Sequence, residues 1–201
     1  MANAQQLELL LKGVQPWNAW RIQNKQTPVD LRRAPLVGVD LREADLTNAD
    51  LSDAHLGGAY LDRARLGGAT LLAARLFRAH MGGADLKAAN MENADLGGAH
   101  LSGADLSGAN LRGAKLRGAN FYGAQLAGAD FQGAHLGRTI FGNVDLSAVK
   151  GLEQVEHVEP STIGLDTYIK SAAKIPKSFL LGAGIPGLWI ERLPTPEASK
   201  N

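Results

Sequence analysis

From Leu31 to Leu146 every fifth residue is large and apolar, and all 24 of these positions hold Leu, Met or Phe. Two residues before each of them the chain has Ala in 20 of the 24 units; the exceptions are Val29, Val39, Thr139 and Val144. A period of five fits neither the 3.6-residue turn of a helix nor the alternation of a half-buried strand, so it marks a repeat architecture. If the large residue and the Ala both point inward, each unit makes one side and one turn, and four units close a roughly square coil. Gly stands two residues after the large one in 12 units, and its tolerance of positive φ suits a tight turn at a corner. Coils stacked at the sheet spacing of about 4.8 Å then predict six coils in a rod of roughly 29 Å.

The predicted core is a set of thin layers of Leu flanked by Ala. Its members include Leu46, Leu51, Leu56, Leu61, Leu66, Leu96, Leu101, Leu106, Leu111, Leu116, Phe121, Phe131 and Phe141. A second large residue per side would overpack each layer, which accounts for the Ala. Phe121, Phe131 and Phe141 exceed Leu in size and predict a widened or shifted packing in the last coils.

A solenoid exposes apolar layers and open backbone at both ends, so caps are expected. Residues 1–28 read as a helical N-terminal cap ahead of a repeat domain at 29–148. Leu7, Leu10, Leu11 and Val14 form one stripe, and Pro16 opens a second helix with Trp17 and Trp20 on one face. Residues 149–193 read as a helical C-terminal cap. Pro160-Ser161-Thr162 predicts the start of a helix carrying Leu165, Ile169 and Ala172, and Pro176 the start of another running through Leu181. This segment holds more apolar surface than a cap needs. Leu165, Ile169, Phe179, Leu188, Trp189 and Ile190 are therefore expected at an oligomer interface, in the simplest case a homodimer. Residues 194–201 read as a flexible tail or linker.

The run A-(D/N)-L-x-x, as in Ala44-Asp45-Leu46-Thr47-Asn48 and Ala109-Asn110-Leu111-Arg112-Gly113, resembles the pentapeptide-repeat family. That resemblance implies an all-β solenoid, a right-handed quadrilateral β-helix, and says little about function. The flank from Gly151 to Ile190, with Pro160-Ser161-Thr162-Ile163-Gly164 and Phe179-Leu180-Leu181-Gly182-Ala183-Gly184, is similar to the segment that precedes a Toll/interleukin-receptor (TIR) domain in some bacterial multidomain proteins.

Composition narrows the function classes. The chain has 21 basic and 20 acidic residues, so no bulk charge draws it to nucleic acid. It has no Cys, which excludes disulfides and thiolate metal sites. No signal peptide is apparent, and the apolar stretch from Phe179 to Ile190 is too short to span a bilayer, so a cytoplasmic location without membrane contact is expected.

On a four-sided coil, residues 20 apart become stacked neighbours, so candidate sites must be read by face. One face gathers Arg75, Arg78, Lys115, Arg117 and Arg138, opposed by Asp95. It is a candidate surface for an acidic partner or nucleic acid, and the plainer reading is a solvated wall of mixed charge. Another face leans acidic through Asp45, Asp85, Asp105 and Asp145, with Arg65 and Lys87 opposing. His80 and His100 stack one coil apart, with no acidic or Cys ligand beside them, so surface residues without a metal are expected. No G-x-S-x-G elbow, P-loop or dinucleotide fingerprint occurs. No catalytic residue, metal or cofactor is expected. The leading expectation is a non-catalytic scaffold for protein interaction or self-association, serving as the assembly module of a bacterial signalling or defence protein. The alternative is a DNA mimic that inhibits or protects DNA gyrase or topoisomerase, which needs a far more acidic surface than this one.

Overall fold

The computed structural model describes residues 1–172 and 174–193, so the expected tail at 194–201 lies outside the described residues. The chain winds with a period of 20 residues, four five-residue sides to a turn. Parallel bridges link each residue just before a large one to its counterpart one coil on. One ladder runs Asp30, Asp50, Thr70, Asn90, Asn110, Asp130, Lys150, and a second Pro35, His55, Arg75, Asp95, Lys115, His135. The third runs Asp40, Tyr60, His80, His100, Asn120, Ile140, and the fourth Asp45, Arg65, Asp85, Asp105, Gln125. We call these walls 1 to 4 in that order.

The backbone explains why five residues suffice. In a representative unit the amide of Leu106 donates to the carbonyl of Gln125 at 2.8 Å, while that of Asp105 donates to Ala84 at 2.9 Å. One residue thus ties the chain to the coil after it and its neighbour to the coil before. The corner closes when Ala109 N–H donates to the carbonyl of Leu106 at 2.9 Å. This turn requires positive φ at its third residue. From Arg33 to Asn143 every fifth residue has it, including Ala73 (φ 53°), Ala88 (φ 51°) and Arg78 (φ 56°). Gly is therefore the comfortable occupant of the corner, and half the corners manage without it.

Every large residue from Leu31 to Leu146 is buried, as is every residue two before it except Val39. The named Leu and Phe of the predicted core are 0% exposed. Phe121 and Phe141 stack face to face one coil apart, with centroids at 5.4 Å and planes 2° apart, and Phe131 tilts against both. Thr139 takes an Ala position because its Oγ1 donates to the carbonyl of Leu116 at 2.9 Å and accepts from Gly137 N–H at 3.1 Å.

At the N-terminal end α1 (Ala4–Leu11) and α2 (Val14–Gln23) pack beside the first coil. Asn3 caps α1 by accepting from the amides of Gln5 and Gln6. Trp17 is fully buried, and its Nε1–H donates to the carbonyl of Asp45 at 2.9 Å. Arg21, 7% exposed, donates to the carbonyl of Thr47 at 2.8 Å. These side chains satisfy backbone acceptors that a preceding coil would otherwise have met.

The C-terminal end departs from the sequence reading in two places. The wall continues past residue 148. Two short strands, β1 (His135–Leu136) and β2 (Ile140–Phe141), pair in parallel with β3 (Glu156–His157) and β4 (Thr162–Ile163), at offsets of 21 and 22 residues. Backbone pairing tolerates the lost spacing, which the side-chain pattern alone conceals. Helix begins at Leu165 rather than Pro160, as α3 (Leu165–Lys170), followed by α4 (Lys177–Gly182) and α5 (Gly187–Ile190). Phe179, expected at an oligomer interface, is 1% exposed. It meets Phe141 edge-on at 5.9 Å and fills the layer below the last Phe, as the next large residue of a further coil would.

Candidate functional site

The four walls differ in how their charges are answered. On wall 1, Arg32 pairs with Asp30 at 2.7 Å, Arg33 with Asp53 at 3.5 Å and Arg112 with Asp130 at 3.2 Å. On wall 3, Arg42 pairs with Asp40, and Arg63 lies 3.9 Å from Glu43. On wall 4, Arg65 pairs with Asp45 at 3.0 Å and Lys87 with Asp105 at 3.0 Å. The hydrogen bonds from Arg32 and Arg42 hold the Asp30 and Asp40 carboxyls at a pKa of about 2. Coil stacking therefore answers two of the four wall 4 aspartates, Asp45 and Asp105, and breaks the acidic lean of that wall.

Wall 2 holds the five predicted basic residues, and the structure divides them. Glu159, beyond the repeat, reaches back to Arg117 at 2.6 Å and to Arg138 at 2.9 Å. The Arg117 hydrogen bond lowers the Glu159 pKa and raises that of Arg117. Arg75, Arg78 and Lys115 stay exposed beside the half-exposed ring of Phe77. The guanidinium of Arg78 sits 5.0 Å from that ring's centroid, within cation–π range. The Asp95 carboxylate accepts from Gly97 N–H at 3.1 Å.

On wall 3 His80 and His100 stack with centroids 5.1 Å apart and planes 3° apart, and Tyr60 stacks on His80 at 4.9 Å. Parallel rings direct their in-plane lone pairs side by side rather than at a common point. Among the described residues no group of three or more His, Cys, Asp or Glu is placed to hold a metal ion. A surface cavity of about 910 Å³ lies where α2 meets wall 3 and is lined by residues including Val14, Asp40, Arg42, Glu43 and Asp62. Its Asp40 and Arg42 are spent on each other, and Asp62 accepts from Gly82 N–H at 3.0 Å. No nucleophile with an adjacent base lines it, so it offers no catalytic constellation.

The C-terminal helices present a contrasting surface. Leu165 and Ile169 on α3 are each 63% exposed, Leu188 and Trp189 on α5 are 71% and 67% exposed, and Leu181 on α4 is 46% exposed. Ile190 is partly buried and packs against the core. Inward, α3 turns Thr167 and Tyr168, and both Thr167 and the helix's C-cap Ser171 are fully buried. His157, which the sequence did not single out, packs edge-on to Phe179 at 5.2 Å. Both its ring nitrogens are buried without a hydrogen-bond partner, and burial lowers its pKa. No described helix is long and apolar enough to cross a membrane.

A family model described as pentapeptide repeats matches residues 29–62, 54–93, 94–133 and 124–150, in eight copies. Among solved structures, a pentapeptide repeat protein from the cyanobacterium Cyanothece 51142 is 40% identical over 44% of this chain and 60% of its own, with a TM-score of 0.43. A pentapeptide repeat protein of the Arabidopsis thaliana thylakoid lumen is 35% identical over 50% of this chain and 67% of its own, with a TM-score of 0.33. QnrB1, a plasmid-mediated fluoroquinolone resistance protein, is 22% identical over 64% of this chain and 69% of its own, with a TM-score of 0.32. No curated protein matches the chain.

Proposed function

The chain belongs to the pentapeptide-repeat family, whose fold is the right-handed quadrilateral β-helix, and on that footing we propose that it is a non-catalytic scaffold that self-associates through its C-terminal helices. The observation that carries this reading is the exposure of Leu165, Ile169, Leu181, Leu188 and Trp189 on α3 to α5. Large apolar side chains exposed on the C-terminal helices mark an interaction surface. A second copy is the occupant that suits them best. An isologous contact lets one patch cover itself, and Trp is among the side chains enriched at the energetic centre of interfaces. The rest of the molecule supports a structural role. Among the described residues the interior of the repeat is filled chiefly by Leu, Ala and Phe.

The similarity of Gly151 to Ile190 to the segment preceding TIR domains extends the reading to an assembly module of a bacterial signalling or defence protein; it rests on the sequence of that flank. The DNA-mimic alternative finds no continuous acidic column, because Arg65 and Lys87 answer Asp45 and Asp105.

Sedimentation velocity of the full chain tests the proposal. The wild type should pass from monomer to dimer as concentration rises. Leu188→Asp combined with Trp189→Asp should stay monomeric while melting at the temperature of the wild type. A wild type that remains monomeric, or a variant that dimerises equally well, overturns it.

A further inference from the structure

Between residues 29 and 148 every Lys and Arg on walls 1, 3 and 4 has a carboxylate partner. Wall 2 is the exception. Among the described residues Arg75, Arg78 and Lys115 enter no ion pair. Stacking places Arg75 and Lys115 two coils apart, roughly 10 Å, with Phe77 and Arg78 beside them.

The relief of this wall is also distinctive. The positions just after the large residues read Val37, Gly57, Phe77, Gly97, Arg117, Gly137, so bulk and absence of bulk alternate coil by coil. The ring of Phe77 lies over Gly97, where an added Cβ would come within 3.1 Å of the ring Cδ2. Phe77 is still 49% exposed and Val37 67% exposed. The wall is thus a rigid corrugation with apolar ridges, glycine gaps and unanswered positive charge.

We propose that wall 2 is a docking surface for an acidic segment of a partner protein, with Phe77 as its apolar anchor and Arg75, Arg78 and Lys115 as its clamp. Aromatic and Arg side chains dominate the energetics of protein interfaces. Because each coil is bonded to both neighbours, the backbone under these residues is already ordered, which lowers the entropy lost on binding. The arrangement favours protein over nucleic acid, because a single ring is no stacking series for successive bases.

The test is fluorescence anisotropy on the full chain at low salt, with a labelled synthetic peptide of alternating glutamate and leucine. A single-stranded DNA of equal charge serves as the second probe. The peptide should bind, and Arg75→Glu combined with Arg78→Glu should weaken it by about tenfold or more. Phe77→Ala should weaken it by roughly fivefold. Arg112→Glu on wall 1 should leave it unchanged, and the DNA should bind more weakly than the peptide. Absence of peptide binding, equal loss on the wall 1 variant, or tighter binding of the DNA overturns the proposal. These substitutions lie away from Leu188 and Trp189, so failure here is distinguishable from failure of self-association.

Discussion

Thr167 Oγ1 donates a 2.8 Å hydrogen bond to the carbonyl of Phe141 and accepts one from Val144 N–H at 3.3 Å. In the repeat units before it, for example at Phe121 and Ala124, those two backbone groups bond each other across the corner at 3.0 Å. Here a hydroxyl from α3 is inserted between them. Ser171 completes the device: its Oγ accepts from Leu146 N–H at 2.9 Å, a donor that another coil would have satisfied. The last coil is closed by two side chains that imitate the coil that does not follow.

Thr167→Val keeps the shape of the side chain and removes the hydroxyl, leaving Val144 N–H buried without a partner. We expect a loss of about 1–3 kcal/mol in urea unfolding, with faster hydrogen exchange at Val144. Exchange unchanged from the wild type would show that the inserted hydroxyl is dispensable.

Leu101 and Leu106 are fully buried in neighbouring units of one layer. Leu101→Ala or Leu106→Ala should cost about 2–5 kcal/mol, through lost transfer energy and a cavity the stiff walls cannot close. Leu72 is 39% exposed, and Leu72→Ala should change stability by no more than about 0.5 kcal/mol. Thermal melting of the three variants checks the contrast.

Ala88 holds a corner at φ 51° with its side chain exposed. Ala88→Gly should stabilise the protein by about 1 kcal/mol, because Gly carries no penalty in the left-handed region. Gly113→Ala should do the opposite, since φ there is +64° and the new Cβ would collide with Asn93 Oδ1. A matched pair of chemical melts reads both signs at once.

His157 is partly buried with both ring nitrogens shielded from solvent, and burial lowers its pKa. The unfolded chain then binds a proton at higher pH than the folded one does. Stability is therefore fully present above the unfolded value of about 6.5 and is lost as pH falls from there through the lower folded value. Because His157 packs on α4, acid should loosen the C-terminal helices before the repeat. His157→Leu should flatten the pH dependence of melting below about pH 6.5. An equally steep dependence in the variant would assign the effect to other groups.

The repeat was legible because inward position and chemistry coincide: Leu and Ala recur at fixed offsets, so the core can be named residue by residue. The ends were less so. Leu165 and Ile169 form a helical stripe expected at an interface, but the stripe did not reveal that α3 and its C-cap turn Thr167 and Ser171 inward to serve the backbone of the last coil. Thr and Ser carry no hydrophobic signal, so nothing in the pattern marked them. The buried Phe179 and the exposed Leu188 and Trp189 look alike in sequence and differ only in whether a coil stands above them.

The sequence by itself determined the coil: its period, its four sides and the residues that fill it. That follows from local physics, since a five-residue unit fixes one turn and one inward pair, and repetition copies it. Only the tertiary structure decided which charges matter. Whether an Arg meets a carboxylate depends on what lies 20 residues away, or 42 away for Arg117 and Glu159. Between residues 29 and 148, stacking gave every Lys and Arg on three walls a carboxylate partner and left Arg75, Arg78 and Lys115 unanswered around Phe77.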